Sequence, residues 1–246
     1  MSPAKKTDVL ILGCGFAGST VAAKLAEKTR KHALIRVIDR KQVFQVPASF
    51  QWIMMGWRKP SEVQRSLRPL ARKGIEVVND SIEKVNLQKR IVKTSQNQFS
   101  YDHLIIATGA EYAPSLIPGF EEHANHTYDI DHATKFRDAV KNFKGGALTV
   151  VVSRTPFKCP PAPYEVALLL ERHFRTKRVN ATITMFTPEP QPLPAAGPVI
   201  GRQMVKLLDN RGIVFKPKTT LKRVEKDRVI FDGIDSPWDL LYAVPP

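Results

Sequence analysis

Residues 9–18 read VLILGCGFAG, and this stretch decides the fold. Four apolar residues, typical of a strand buried on both faces, run directly into a G-x-G-x-x-G turn. A helical segment with small residues follows over about 16–28, and a second strand over 34–39 ends in Asp39. This order predicts a βαβ unit, and the right-handed crossover makes its two strands parallel.

The three glycines of the turn have separate tasks in a phosphate-binding site. Gly13 allows the tight turn, Gly15 lets a pyrophosphate approach the backbone, and Gly18 lets the helix pack against the strand. The helix N-terminus adds free N–H groups and about half a positive charge. Asp39 follows Gly18 by about 21 positions, where an acid can accept hydrogen bonds from a ribose. The pattern predicts a dinucleotide site, and the alternative is a glycine-rich turn without a ligand.

A second βαβ pattern begins after residue 145. It has strands over 148–152 and 182–186, with helices over 164–174 and about 199–208. We therefore predict an α/β fold with two Rossmann-like units of the FAD/NAD(P)-binding type, each a parallel sheet with flanking helices. The predicted domains are 1–112, a linker with a connecting helix over 113–144 and N-cap Asp131, and 145–246.

Composition excludes several protein classes. The 246 residues are 43% hydrophobic and 25% charged, which argues against disorder, collagen and coiled coil. No apolar run approaches the roughly 18 residues of a membrane span, and residues 1–15 show no signal-peptide pattern, so we expect a cytoplasmic chain.

The net charge is +15, and the positive residues are scattered along the chain without interleaved aromatic residues. We interpret it as a solvated surface, with membrane-surface attraction as the alternative, and predict no nucleic-acid partner.

The turn after the first strand of the second unit differs from the glycine turn. Residues 153–165 read SRTPFKCPPAPYE, with four prolines and no glycine. Proline has no N–H to donate, so this loop cannot wrap amides around a pyrophosphate, and we predict that it does not bind NAD(P)H. Cys159 lies there beside Lys158 at a helix start, where a thiolate is favoured. The alternative for Cys159 is a small buried residue without chemistry. We interpret Cys14 as packed in the core and without function.

Several motifs together resemble one family. Residues 156–165 resemble the cysteine motif of sulfide:quinone oxidoreductases and of the flavin subunit of flavocytochrome c sulfide dehydrogenase. FQVPAS at 44–49 with Trp52 and Gly56-Trp57, and DIDHA at 129–133, resemble the quinone-reducing branch. The two βαβ units with ATG at 107–109 are similar to the two-dinucleotide-binding-domain flavoproteins.

The resemblance implies FAD as cofactor, sulfide as substrate, sulfane sulfur or polysulfide as product, and a quinone acceptor. It also implies a peripheral position on the inner face of the cell membrane. Cys159 would carry the persulfide, while His132 and Glu165 would handle protons; their alternative is an ordinary first-turn helix position. The implied FAD-binding residues are Gly13, Gly15, Phe16, Ala17, Gly18, Asp39, Arg40, Pro47, Ser81, Ile82, Ala107, Thr108 and Gly109.

The sequence also departs from this family. The second redox cysteine and the C-terminal segments of the family have no counterpart before Pro246, and Tyr128 stands where some members carry a further cysteine. We therefore expect a piece of a longer chain.

Three other functions stay open beside sulfide:quinone oxidoreduction. They are a flavocytochrome c-like flavin subunit, an NADH:quinone reductase, and a non-catalytic FAD-binding remnant or partner subunit. Homo-oligomerisation stays open. Two distant cysteines and six scattered histidines predict no metal site.

Overall fold

Parallel strands form the two main sheets of the computed structural model, which describes residues 6–29 and 32–246. The chain divides into two compact units, Met1–Val46 with Ser61–Glu111 and Pro47–Pro60 with Tyr112–Pro246. The predicted α/β class is confirmed. The observed division differs from the predicted domains 1–112, 113–144 and 145–246, because residues 47–60 and the connecting helix both belong to the second unit.

The first unit contains a four-stranded parallel sheet in the order β5-β2-β1-β9. Pairing of β1 with β2 in parallel register confirms the predicted βαβ unit. A three-stranded antiparallel sheet, β6-β7-β8, and a short hairpin, β3-β4, complete the unit. The elements are β1 Thr7–Leu12, α1 Phe16–Thr29, β2 Ala33–Asp39, β3 Val43–Gln45, β4 Gln64–Ser66, β5 Ile75–Asn79, β6 Ile82–Asn86, β7 Ile91–Thr94, β8 Gln98–Ser100 and β9 His103–Ile106, with 3-10 turns at Pro60–Val63 and Arg68–Lys73.

Strand β1 is buried on both faces, as its apolar run predicts. Successive side chains of a strand point to opposite faces. Val9 and Ile11 accordingly pack in one cluster with Ala22 of α1, whereas Leu10 and Leu12 pack in another with Val92 of β7.

The second unit repeats the parallel arrangement, with strand order β12-β11-β10-β16. A second antiparallel sheet has the order β13-β14-β15. The elements are α2 Phe50–Met54, α3 Phe120–His123, α4 Ile130–Asn142, β10 Gly146–Val152, α5 Ala162–Lys177, β11 Ala181–Phe186, α6 Gly197–Asp209, β12 Ile213–Lys216, β13 Leu221–Val224, β14 Arg228–Phe231, β15 Asp235–Pro237 and β16 Leu240–Val244, with 3-10 turns at Pro47–Ser49, Pro114–Leu116 and Pro194–Ala196.

Helices and a small sheet cover opposite faces of this second parallel sheet. Val150 and Tyr242 share a core cluster with Leu170 of α5, and Phe136 of α4 joins the same cluster. On the other face, Val151 packs in a cluster with residues of the β13-β14-β15 sheet. Residues 148–152 of β10 are buried, and β10 is a central strand, as its apolar sequence indicates.

One local prediction is wrong. The N-cap of α4 is Asp129, not Asp131, because its side chain accepts the His132 N–H. Strand β9 ends at Ile106, which is 62% exposed, and residues 107–109 that follow it have no regular secondary structure. None of the helices in residues 6–29 and 32–246 is long and apolar enough to span a membrane.

The core of the second unit gives a stability prediction. Leu170 is fully buried, so Leu170→Ala should lower the free energy of unfolding by about 2–5 kcal/mol through lost burial and a cavity. Leu116 is 59% exposed, and Leu116→Ala is the matched control, expected to change it by less than about 0.5 kcal/mol. Urea unfolding measures both, and equal effects would contradict the assignment of Leu170 to the core.

Candidate functional site

Backbone packing shapes the glycine turn after β1. Gly13 has φ 93°, in the left-handed region, and a Cβ there would overlap the backbone of Ala107. A Cβ on Gly18 would overlap the Gly13 carbonyl oxygen. The turn therefore closes only because both residues lack side chains. Gly18 was predicted to let the helix pack against the strand, but the nearest backbone to it is the turn at Gly13.

The first turn of α1 offers unused hydrogen-bond donors. Gly13 N–H donates to Ile38 O at 2.8 Å and Cys14 N–H donates to Asp39 Oδ2 at 2.6 Å. Within residues 6–29 and 32–246, the N–H groups of Gly15, Phe16 and Ala17 have no hydrogen-bond partner. A Cβ on Gly15 would meet nothing within 4 Å, so the space beside it is open. Free amides at a helix N-terminus with open space beside them fit a phosphate group.

A cleft of about 390 Å³ continues this site along the edge of the sheet. We call it the nucleotide cleft. Its residues follow β2, β5 and β9, because the carboxyl ends of parallel strands meet at one edge. The lining residues are Asp39, Arg40, Asp80, Ser81, Ile82, Thr108, Gly109, Ala110 and Glu111.

Asp39 is half-buried and holds the turn. Its Oδ2 accepts the Cys14 N–H and its Oδ1 accepts the Lys41 N–H at 2.7 Å. A carboxylate has about four lone-pair sites, so the side chain retains capacity for hydroxyl donors from a ribose. Arg40, beside it, is exposed and lies 3.9 Å from the Glu111 carboxylate.

Asp80 supports the backbone at Ser81 and Ile82, two of the residues predicted to bind FAD. Its Oδ1 accepts the Ser81 N–H at 2.8 Å and the Ser95 hydroxyl at 2.5 Å. Hydrogen bonds from Ser95 and Thr94 lower the pKa of Asp80 to about 2. The Ser81 carbonyl accepts the Ser95 N–H, so both backbone groups of Ser81 are engaged and Ile82 is the remaining candidate. The sequence reasoning missed Asp80, although an acid directly after β5 could have indicated it.

The other predicted nucleotide residues lie as follows. Phe16 is 60% exposed and packs edge-to-face on Phe44, with ring centroids 4.8 Å apart. Ala107 N–H donates to Leu12 O at 2.8 Å, which holds residues 107–109 beside the glycine turn. Pro47 belongs to the second unit and is not a lining residue of the nucleotide cleft.

The second unit presents Cys159 on the loop that follows β10, residues 153–161, which we call the cysteine loop. Cys159 is exposed, whereas Cys14 is buried. Its φ is 60°, a conformation that costs a non-glycine residue about 1–2 kcal/mol. The Cys159 carbonyl accepts the Ala162 N–H at 2.9 Å, and Pro163 has no N–H, so the start of α5 offers fewer free donors than the start of α1.

Two tyrosines hold the cysteine loop. The Tyr128 hydroxyl donates to the Lys158 carbonyl at 2.8 Å. Tyr112 packs edge-to-face on Tyr128 at 5.4 Å, and Lys158 Nζ lies 5.5 Å from the centre of the Tyr112 ring. Burial, and after it the charges of Tyr242 and Cys159, raise the pKa of Tyr128. Tyr128 thus stays protonated and keeps donating to the residue before Cys159.

His132 belongs to a group that the sequence reasoning missed. Ligand atoms of His126, Asp129 and His132 lie within 4.8 Å of one another, so the interpretation of all histidines as scattered is wrong for these residues. Asp129 Oδ2 lies 2.7 Å from His132 Nδ1, and the two imidazole rings stack at 3.9 Å. Burial, and then the charge of His132, lower the pKa of His126 to about 4. The spacing of three residues between members could have indicated this group.

Two acids near the helix α5 have different surroundings. Glu165 is in the first turn of α5, and burial raises its pKa. Glu189 follows β11 as Asp39 ends β2, yet it is 6% exposed and its Oε2 accepts the Tyr164 hydroxyl at 2.9 Å. Burial raises the pKa of Glu189 despite this hydrogen bond. The acid that follows β11 is therefore turned inward, and it was not among the residues predicted from the sequence.

Comparisons with known proteins identify the family of the chain. Residues 7–236 match the family described as pyridine nucleotide-disulphide oxidoreductase. The chain belongs to this family. It is 27% identical to the sulfide-quinone reductase of Aquifex aeolicus (strain VF5) over 238 residues, or 92% of this chain and 54% of the relative. The resemblance to sulfide:quinone oxidoreductases is thereby confirmed, and the chain spans about half the length of that relative.

Other family members are similar over less of the chain or at lower identity. The external alternative NAD(P)H-ubiquinone oxidoreductase B2 of Arabidopsis thaliana is 24% identical over 149 residues, covering 55% of this chain and 25% of the relative. The crystal structure of the Aquifex aeolicus sulfide:quinone oxidoreductase matches 97% of this chain and 58% of its own, with TM-score 0.86 and 24% identity. The structure of NDH2 from Plasmodium falciparum matches 98% of this chain and 55% of its own, with TM-score 0.80 and 19% identity. These structures share the fold.

Thiol labelling tests the contrast between the two cysteines. Burial, and then the charge of Asp39, raise the pKa of Cys14 to about 11, so it stays a protonated, inaccessible thiol at pH 8. We expect one equivalent of iodoacetamide to label native protein at pH 8, on Cys159, and two after unfolding. Cys159→Ser should abolish native labelling, and Cys14→Ser should leave it unchanged. Native labelling of Cys14 would contradict this placement.

Proposed function

We propose that the chain is the FAD- and sulfide-binding part of a flavin-dependent sulfide:quinone oxidoreductase. The observation that carries this proposal is the exposed thiol of Cys159 on a proline-rich loop, at the place where a nicotinamide-binding unit would have a glycine turn. The similarity to a sulfide-quinone reductase over 92% of the chain supports it.

The first unit would hold FAD. Gly15, Phe16 and Ala17 would donate their free N–H groups to the pyrophosphate, and Asp39 would accept from a ribose. Ile82, Thr108 and Gly109, which line the nucleotide cleft, would contact the remainder of the nucleotide. FAD supplies a two-electron acceptor when it is bound.

The second unit would provide the sulfur chemistry. Cys159, as thiolate, would form an S–S bond with the sulfur of hydrosulfide and carry the sulfane sulfur as a persulfide; the pair would lose one proton and two electrons, for which bound FAD would be the acceptor. Tyr128 would fix the preceding carbonyl. Burial raises the pKa of Glu165, and this carboxyl would take part in proton transfer. His132 would transfer a proton as well, while ionised Asp129, 2.7 Å from its Nδ1, orients the imidazole. The proposed final electron acceptor is a quinone, which the cytoplasmic chain would reach at the inner face of the membrane. The relatives of this chain include enzymes named as sulfide-quinone reductase and as NAD(P)H-ubiquinone oxidoreductase, which supports a quinone acceptor.

The inward position of Glu189 argues against NADH as the electron donor. A ribose at this position needs a free carboxylate, whereas Glu189 is buried and hydrogen-bonded to Tyr164. The cysteine loop also lacks glycine, and the start of α5 offers fewer free donors than the start of α1. Both features favour a sulfur donor over a nicotinamide.

Two glycine variants test FAD binding. A Cβ on Gly15 meets no protein atom, so Gly15→Ala should leave the melting temperature within about 2 °C and weaken FAD binding at least about tenfold. A Cβ on Gly18 overlaps Gly13 O, so Gly18→Ala should lower both stability and FAD binding. Fluorescence titration with FAD and thermal unfolding measure these effects. Unchanged FAD binding in Gly15→Ala would contradict the proposed phosphate site.

Anaerobic flavin reduction tests the electron donor. With FAD bound, sulfide should bleach the flavin absorbance near 450 nm, a typical flavin band, and Cys159→Ser should slow bleaching at least about 100-fold. Cys14→Ser is the control, expected to retain the rate if FAD content is matched. Bleaching by NADH instead would favour the NADH:quinone reductase, and FAD binding without bleaching by either donor would favour the non-catalytic partner subunit.

A further inference from the structure

A second cleft lies within the second unit, on the side of the helices. It has a volume of about 480 Å³, within the range of small-molecule sites. Its floor is apolar, since buried core side chains of α2, α4 and α5 reach it. We call it the basic cleft. The floor residues are Met54, Met55, Val140, Phe143, Phe174 and Val179.

Cations surround this apolar floor. Arg137 and Lys141 lie one turn apart on α4, Lys144 follows just past the end of that helix, and Lys177 lies in the last turn of α5. Asp138 is the one acid among the lining residues, and its Oδ1 is 2.9 Å from Arg137 Nη2.

Three of these cations have no counterion in the part of the chain that the structure describes. The side chains of Lys141, Lys144 and Lys177 form no hydrogen bond or ion pair there. Like charges four positions apart on a helix destabilise it, so Arg137 and Lys141 repel each other on α4, and Lys144 adds a third positive charge just past its end. An anion bound between α4 and the end of α5 would remove this repulsion.

The cleft therefore combines two requirements for its occupant. An apolar floor favours an alkyl chain, and unpaired lysines at the rim favour an anionic head group. We propose that the basic cleft binds a single-chain anionic amphiphile, with its alkyl chain on the floor and its carboxylate or phosphate between Lys141, Lys144 and Lys177. A neutral quinone would leave the lysines unpaired. This site involves neither Cys159 nor the nucleotide cleft, so it is independent of the proposed function.

Titration calorimetry of the full chain with dodecyl phosphate, kept below its critical micelle concentration, tests the site. We expect saturable binding of one equivalent, weakened at least tenfold in the Lys141→Ala/Lys144→Ala double variant. Arg202→Ala/Lys206→Ala removes a basic pair of equal i,i+4 spacing on α6, outside the cleft, and should leave the affinity unchanged. Circular dichroism and melting curves confirm that both double variants are folded.

Comparison ligands separate the head-group and chain contributions. Laurate should bind, since its carboxylate also pairs with lysine, whereas decyl maltoside and decylubiquinone should bind at least tenfold more weakly than dodecyl phosphate. Inorganic phosphate that binds as tightly as dodecyl phosphate would overturn the role of the floor. Equal binding of the neutral ligands would overturn the role of the lysines. Lysine-dependent binding to phosphatidylglycerol vesicles, without binding of the monomers, would assign the surface to a membrane instead and overturn the proposal.

Discussion

Parallel strand pairing is the constraint on which both units depend. When neighbouring strands run the same way, the loops at their carboxyl ends meet at one edge of the sheet, however far apart they are in sequence. In the first unit this edge collects the loops that follow β1, β2, β5 and β9. The glycine turn at Gly13, the carboxylates of Asp39 and Asp80, and the segment at Thr108 and Gly109 thus become neighbours.

The two parallel sheets share their topology, but the loops at their carboxyl ends differ in backbone donors. Glycines in the first unit leave the N–H groups of Gly15, Phe16 and Ala17 free beside open space, which suits phosphate. In the second unit, prolines remove donors and the Ala162 N–H is used by the Cys159 carbonyl. Tyrosines then hold the loop so that the thiol is exposed. The two units therefore divide nucleotide binding and sulfur chemistry between them in the proposed enzyme.

Polar groups around the cysteine loop have local structural tasks as well. Asp129 caps α4 through the His132 N–H and also approaches the imidazole of His132, so one carboxylate serves helix and histidine together. Burial raises the pKa of this carboxyl, but the hydrogen bonds and charge of His132 outweigh it, and the net pKa lies below its ordinary value. His132 is consequently held in one orientation by a group that stays ionised.

The sequence by itself determined the α/β class, the parallel βαβ units, the glycine turn and the contrast with the proline-rich loop. These follow from local periodicity and from residues without a Cβ or an N–H, which act at their own position. Only the tertiary structure decided that Glu189 turns inward to Tyr164, that His126 stacks on His132, and that unpaired lysines rim an apolar cleft. Such features depend on side chains from separate elements meeting in space. The spacing of His126, Asp129 and His132 indicates that these residues are near one another, but it does not encode the stacking of the two rings.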